Sequence, residues 1–127
     1  MRLAYLDTSY LVAIAFEEPG ALALAARMRE FDRLFSSNLL EAEFRSTLLR
    51  EGMDQGGGSL LSWVTWVLPN RTLTAEFDRI AGQGYLKGAD LWHLACALFL
   101  DPGARELTFL TLDKRQKEVA AKLGFSQ

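Results

Sequence analysis

Leu107-Thr108-Phe109-Leu110-Thr111-Leu112 is the best strand in the sequence, and Asp113 follows it directly, ahead of a helical stretch from Lys114 to Leu123 that Gly124 stops. A short apolar run rich in β-branched and aromatic residues suits a buried strand. The same order opens the chain: Leu3-Ala4-Tyr5-Leu6 runs into Asp7-Thr8-Ser9 and a short helix from Tyr10 to Phe16, closed by Glu18-Pro19-Gly20. Working inward, Ala21 to Phe31 is an ordinary helix rich in Ala, Leu and Arg, and Leu34-Phe35-Ser36 is a second short strand. Asn38 to Arg50 is helical, with Gly52 just past its end. Gly56-Gly57-Gly58 reads as a loop or hinge, Ser59 to Val67 as a helix broken by Pro69, and Arg71-Thr72-Leu73 as a third strand. Thr74 caps the next helix, which Gly82-Gln83-Gly84 breaks. Leu91 to Leu100 is apolar almost all round, which places that helix in the middle of the fold. Strands alternating with helices predict a short, mainly parallel sheet with helices on both faces. The expected fold is therefore α/β, a three-layer α/β/α arrangement, in one domain over residues 1–127.

Composition narrows the function. The chain has 127 residues, 50% hydrophobic and 24% charged, with 10 glycines and 3 prolines, which excludes disordered, collagenous and coiled-coil classes. Fourteen Lys and Arg against sixteen Asp and Glu leave a net charge of −2. A protein that grips nucleic acid by bulk positive charge is far more basic, so any such contact must be local or mediated by metal ions. The lone cysteine, Cys96, lies in an apolar run and reads as a buried, inert thiol of a reducing compartment. Asp7 interrupts the N-terminal apolar run before a signal-peptide core forms, and no stretch approaches the roughly 18 apolar residues of a membrane span. The expectation is a cytoplasmic protein with no membrane contact.

Ligands of parallel α/β sheets bind beyond the carboxyl ends of the strands. The acids there are Asp7 after the first strand and Asp113 after the last, with Asp90 at the start of the buried helix and Glu43 in the second turn of the Asn38 helix. Each aspartate has a structural reading: Asp113 with Gln116 has capping-box spacing, and Asp90 and Asp7 stand where they would cap their own helices. A cap can also be a ligand, since its second oxygen is free to face a cleft. Glu41 has two structural partners available, Asn38 at capping-box spacing and Arg45 four residues on. Glu43 has neither, so it is the glutamate assigned to the site, unless the helix register differs.

Several of these segments together resemble a known family. Tyr5-Leu6-Asp7-Thr8-Ser9, Glu43-Phe44-Arg45, Ala89-Asp90-Leu91-Trp92-His93-Leu94-Ala95 and Leu110-Thr111-Leu112-Asp113 resemble the PIN-domain nucleases, in that family's order and spacing. Within it the chain is similar to the VapC-like ribonuclease toxins of toxin–antitoxin pairs. The resemblance implies an acidic site of Asp7, Glu43, Asp90 and Asp113, with Thr8 or Ser9 as the hydroxyl beside the first aspartate and Thr111 as the one preceding the last. Trp92 and Leu112 are bulkier than the residues usual there, which removes no ligand. The resemblance also implies a homodimer and a cognate antitoxin whose tail covers the acidic groove.

Four converging carboxylates repel one another unless cations or protons intervene. Hard oxygen donors suit Mg²⁺ or Mn²⁺, and two such ions roughly 4 Å apart would activate a water and stabilise a leaving oxygen. The resemblance implies endonucleolytic hydrolysis of single-stranded RNA, with Asp7, Asp90 and Asp113 on the metal and Glu43 holding a second ion or orienting the water. Setting the four acids aside leaves fourteen basic residues against twelve acidic ones, a weakly positive remainder. Arg45, Arg50, Lys87, Lys114 and Arg115 are the candidates near the motifs for phosphate contact. His93 reads as a core histidine bonded to backbone. Trp63 and Trp66, taken to share a helical face with Leu60, Leu61, Val64 and Val67, read as core or as a dimer or antitoxin surface. The rivals are a housekeeping RNA-processing nuclease without an antitoxin and a catalytically silent binding module. A haloacid-dehalogenase phosphatase is disfavoured, because Ser9 stands where its second aspartate belongs.

Overall fold

A computed structural model describes residues 1–54 and 58–127. Among the described residues the sheet has four strands, β1 (Leu3–Leu6), β2 (Arg33–Ser37), β3 (Val64–Val67) and β4 (Leu107–Leu110), in the order β3-β2-β1-β4. Every neighbouring pair is parallel, with Tyr5 opposite both Phe35 and Phe109 in the central ladder. The helices are α1 (Thr8–Ala15), α2 (Ala21–Met28), α3 (Asn38–Arg50), α4 (Gly58–Leu61), α5 (Thr74–Ala81), α6 (Gly88–Leu100) and α7 (Lys114–Leu123).

Alternation along the strands builds two cores. Ala4, Leu6, Leu34 and Leu110 face one side, where they meet Tyr10 and Leu11 of α1 and Leu40 and Phe44 of α3. Tyr5, Leu107 and Phe109 face the other, against Ile80, Leu94 of α6 and Val119 of α7. A period of two is what sends successive strand residues to opposite faces. The result is the expected three-layer α/β/α fold. His93 to Leu98 are buried in unbroken succession, so α6 is the interior helix its composition predicts. Cys96 lies within it, and burial pushes its thiol up to about 12.

Three local readings are corrected. Ser59 to Val67 is not one helix: α4 ends at Leu61, and Val64-Thr65-Trp66-Val67 forms the edge strand β3 beside β2. Two valines and a threonine favour extended backbone, and the open ladder of β2 supplies partners that a short isolated helix lacks. Trp63 and Trp66 therefore share no helical face. Trp63 is in a turn with the Arg29 guanidinium 5.8 Å from its ring centre, while Trp66 is half-buried on β3. Arg71-Thr72-Leu73 is not a strand; Leu73 is buried and precedes α5, whose first residue is Thr74, with no side-chain cap. Strand β4 stops at Leu110 rather than Leu112, because the Leu112 N–H leaves the ladder to bond Ser9 Oγ at 3.1 Å. Gly56 and Gly57, read as a hinge, lie outside the described residues, and Gly58 opens α4.

Candidate active site

The sheet order puts a reversal between β1 and β4: from β1 the chain builds outward to β2 and β3, then returns to the other side for β4. Such a switch point leaves a crevice at the carboxyl edge. Asp7 and Asp113 lie on either side of it, beyond the ends of those two strands.

Asp7 is nearly buried, and its position is fixed from three directions. Its backbone N–H donates to Leu110 O at 2.9 Å. Oδ2 accepts from the Ser9 N–H at 3.0 Å and from Ser9 Oγ at 2.6 Å, so it caps α1 as expected. Oδ1 accepts from Gln116 Nε2 at 3.1 Å. Asp113 caps α7 through Oδ1, which accepts from the Gln116 N–H at 2.8 Å. Its own N–H donates to Thr111 Oγ1 at 3.1 Å.

The capping box is only half formed, and the missing half is informative. Gln116 does not return its side chain to Asp113. It is 0% exposed and reaches across the crevice, accepting from Thr111 Oγ1 at 2.6 Å and donating to Asp7 Oδ1 and to the Asp90 carbonyl at 3.2 Å. One side chain thus ties β1, the β4–α7 corner and the start of α6 together. Sequence reasoning noticed Gln116 only as a capping partner. The available signal was that an amide beside three acids can donate to one carboxylate while accepting elsewhere.

Asp90 does not cap its helix. The cap position of α6 is Lys87, with no side-chain bond, and Asp90 is the third helical residue. Among the described residues its carboxylate accepts no hydrogen bond. Burial pushes the Asp90 carboxyl above its ordinary value, and the charges of Asp7 and Asp113 push it the same way against the pull of Lys87. The charges of Asp7 and Asp113 therefore reach Asp90 across the crevice.

Glu43 occupies an adjoining niche. Its Oε1 accepts from Thr8 Oγ1 at 2.7 Å and lies 3.1 Å from His93 Nε2. These bonds, led by that from His93, hold its carboxyl below the usual range despite partial burial. The two candidate hydroxyls thus divide the work: Ser9 serves Asp7, and Thr8 serves Glu43. Glu41 keeps the structural partners expected of it, Asn38 Nδ2 at 2.9 Å and Arg45 Nε at 2.8 Å, although Ser37 rather than Asn38 is the helix cap.

His93 is corrected in its partners. It is buried at 1% exposure but bonds side chains, not backbone. Tyr5 OH accepts from the Ser37 N–H at 3.0 Å and, with burial keeping the phenol protonated, donates to His93 Nδ1 at 2.9 Å. That chain places the imidazole hydrogen on Nε2, facing Glu43. Tyr5 and His93 are site residues that the strand and core patterns concealed.

A cavity of about 770 Å³ lies between α1 and α2, away from all of these groups. Chemistry rather than size selects the smaller cleft of about 240 Å³, lined by Tyr85, Leu86, Lys87, Asp90, Asp113 and Arg115. Its donor set is hard oxygen with cations at the rim. Among the described residues no three His, Cys, Asp or Glu side chains converge on one point. Hydrated Mg²⁺ needs only one or two carboxylates and keeps its waters, so the free oxygens of Asp90 and Asp113 fit such an ion.

Fold and site together define an α/β/α protein of nuclease type, built around an acidic cleft at the carboxyl edge of a parallel sheet. Residues 4–122 match the PIN-domain family, and the chain belongs to it. PIN domains are generally nucleases that use divalent metal ions. No curated protein and no solved structure gives a significant match. No helix among the described residues is long and apolar enough to cross a membrane.

Proposed function

We propose that this chain is an Mg²⁺- or Mn²⁺-dependent endoribonuclease that hydrolyses single-stranded RNA. We read it as the toxin of a VapC-like toxin–antitoxin pair, acting in the cytoplasm as a homodimer. The observation that carries the catalytic reading is that buried Gln116 bonds the Asp7 carboxylate, the Asp113 carboxylate (through its backbone N–H) and the Asp90 main chain, while burial and then the charges of Asp7 and Asp113 raise the Asp90 carboxyl. Capping accounts for Asp7 and Asp113 but not for Asp90, whose carboxylate accepts no hydrogen bond among the described residues and feels both of their charges.

In this reading Asp90 and Asp113 hold the metal, with Asp7 behind them. An ion held there would make a nucleophilic water available at neutral pH and would stabilise charge on the phosphate oxygens. Gln116 and Ser9 fix the orientation of the Asp7 carboxylate through one oxygen each. Glu43 stays ionised, held by Thr8 and His93 Nε2, which suits it to orienting a water or holding a second ion. A carboxyl held low is a poor proton acceptor near pH 7. Lys87 offsets some of the negative charge, acting on both Asp90 and Glu43.

The test is cleavage of unstructured RNA with Mn²⁺ or Mg²⁺ against an Asp90→Asn control. The variant is expected to lose at least about a hundredfold in rate, the usual scale for a group at the reacting centre. Equal cleavage by both proteins would sink the catalytic reading. The toxin reading is tested separately: a small open reading frame just upstream should encode a protein that binds this chain and silences cleavage. Sedimentation of the purified protein as a strict monomer at high concentration would remove the dimer.

A further inference from the structure

We propose that the surface formed by Tyr85, Lys87 and Arg115 is a subsite for an unpaired nucleobase flanking the scissile phosphodiester, with the Tyr85 ring as its stacking platform. The proposal rests on the nuclease reading above. Between α5 and α6 the chain is anchored by Leu86, which is 7% exposed and packs in the α6–α7 core. Its neighbour Tyr85 is 72% exposed. The anchoring is complete without an aromatic there, so the ring is free for another role.

Its placement is specific. Tyr85 lines the 240 Å³ cleft that also holds Asp90 and Asp113, and it lines a second hollow of about 390 Å³ with Ala81, Gly84, Leu86 and Leu91. Tyr85, with Leu86, therefore borders both the cleft of the carboxylates and a mostly apolar groove, at the partition between the two. The Arg115 guanidinium stands 5.8 Å from the ring centre, on the first turn of α7 and two residues from Asp113. Lys87 lines the acidic side of the same partition. The backbone that carries the ring is held tightly: Gly84 has φ of +154°, and a Cβ there would stand 3.2 Å from Val119 Cγ2 of α7. Only glycine allows that approach without strain. Packing against α7 thus fixes the backbone next to the ring.

An exposed aromatic flanked by cations is how proteins hold single strands: each base offers a π-face, and the cations follow the phosphates. A paired base keeps both faces stacked and cannot use such a ring. Lys87 and Arg115 also supply local positive charge beside the carboxylates of a chain whose net charge is −2.

The experiment uses the whole protein and a fluorescently labelled, unstructured oligoribonucleotide, with cleavage followed in Mn²⁺ and affinity measured by anisotropy in Ca²⁺. Tyr85→Ala should raise KM and Kd about tenfold, the scale of one lost base stack, with an unchanged melting temperature. Tyr85→Phe should restore both constants, because the ring and not the hydroxyl does the stacking. An abasic residue at the matching position of the oligonucleotide should weaken wild-type binding equally and erase the difference between wild type and Tyr85→Ala. Lys87→Ala should lower the slope of log K against log salt by about one. Cleavage by the wild type with KM and Kd untouched in Tyr85→Ala overturns the proposal alone and leaves Tyr85 to a protein partner. A wild type that neither binds nor cleaves the strand overturns the nuclease reading, and this proposal with it.

Discussion

Asp90 and Glu43 are both partly buried acids, yet their surroundings push them in opposite directions, and stability should record the difference. Burial and the charges of Asp7 and Asp113 raise the folded Asp90 carboxyl, so the native state holds that proton to higher pH than the unfolded chain does. Stability therefore falls as pH rises above about 4, as the folded carboxyl gives up its proton. Asp90→Asn should raise the metal-free protein's stability by about 0.5–1 kcal/mol after allowance for solvent screening, or roughly 2–4 °C, with the gain vanishing below pH 4. Glu43 is lowered by His93, Thr8 and Lys87, so its contribution is present at neutral pH and lost as pH falls through its folded value. Glu43→Gln should accordingly destabilise, by about 0.5 kcal/mol, and thermal melts at pH 7 and pH 3.5 distinguish the two signs. Gln116 carries more. Gln116→Leu keeps the volume but strips partners from Asp7 Oδ1, Thr111 Oγ1 and the Asp90 carbonyl, which should cost about 2–3 kcal/mol in urea titration. A loss below half a kcal/mol would mean that water replaces the amide.

At the level of elements, Asp113 combines a cap with a cleft-facing oxygen, and two substitutions separate the roles. Asp113→Asn keeps an oxygen for the Gln116 N–H and gives up only the favourable charge at the start of α7, so stability should change by less than about 1 kcal/mol. Asp113→Ala loses the cap itself and should cost about 1–2 kcal/mol. Cleavage should collapse in both, and an active Asp113→Asn protein would leave the residue a cap alone. Element boundaries were legible at Asp7, Asp113, Gly52 and Gly124, where a capping residue or glycine marks them, but not at Thr74 and Asp90, which lie inside the helices they were expected to cap. The failure at Val64–Val67 has a physical cause: four residues carry no decisive period, and Trp63 and Trp66 imitate helical spacing. What makes the segment a strand is the unpaired edge of β2, thirty residues away in sequence.

For the whole molecule, burial and the charges of Asp7 and Asp113 place an electrostatic load on Asp90 in the native state, and the cation proposed for the crevice would relieve it. Mn²⁺ at about a hundred times its Kd should add about 2.7 kcal/mol to unfolding stability, and Asp90→Asn should shrink that gain. A melt insensitive to Mn²⁺ in the wild type would argue against ion binding in this crevice. The load is tolerated because the sheet beneath has a packed core on each face, so the carboxyl edge is held by strands and helices whose stability lies elsewhere.

The sequence by itself determined the layered α/β class, the interior position of α6 and the four acids at strand ends and helix starts. Each of these is written in local pattern: apolar runs, capping residues, glycine and proline breaks. Tertiary structure alone decided which groups meet. Gln116 joins Asp7 from 109 residues away, and His93 meets Glu43 across 50. It also decided that Asp90 caps nothing, that Thr8 and Ser9 serve different carboxylates, and that Val64–Val67 pairs as a strand. A hydrogen bond between distant residues depends on where the backbone carries both ends, and no period or spacing along the chain encodes that distance.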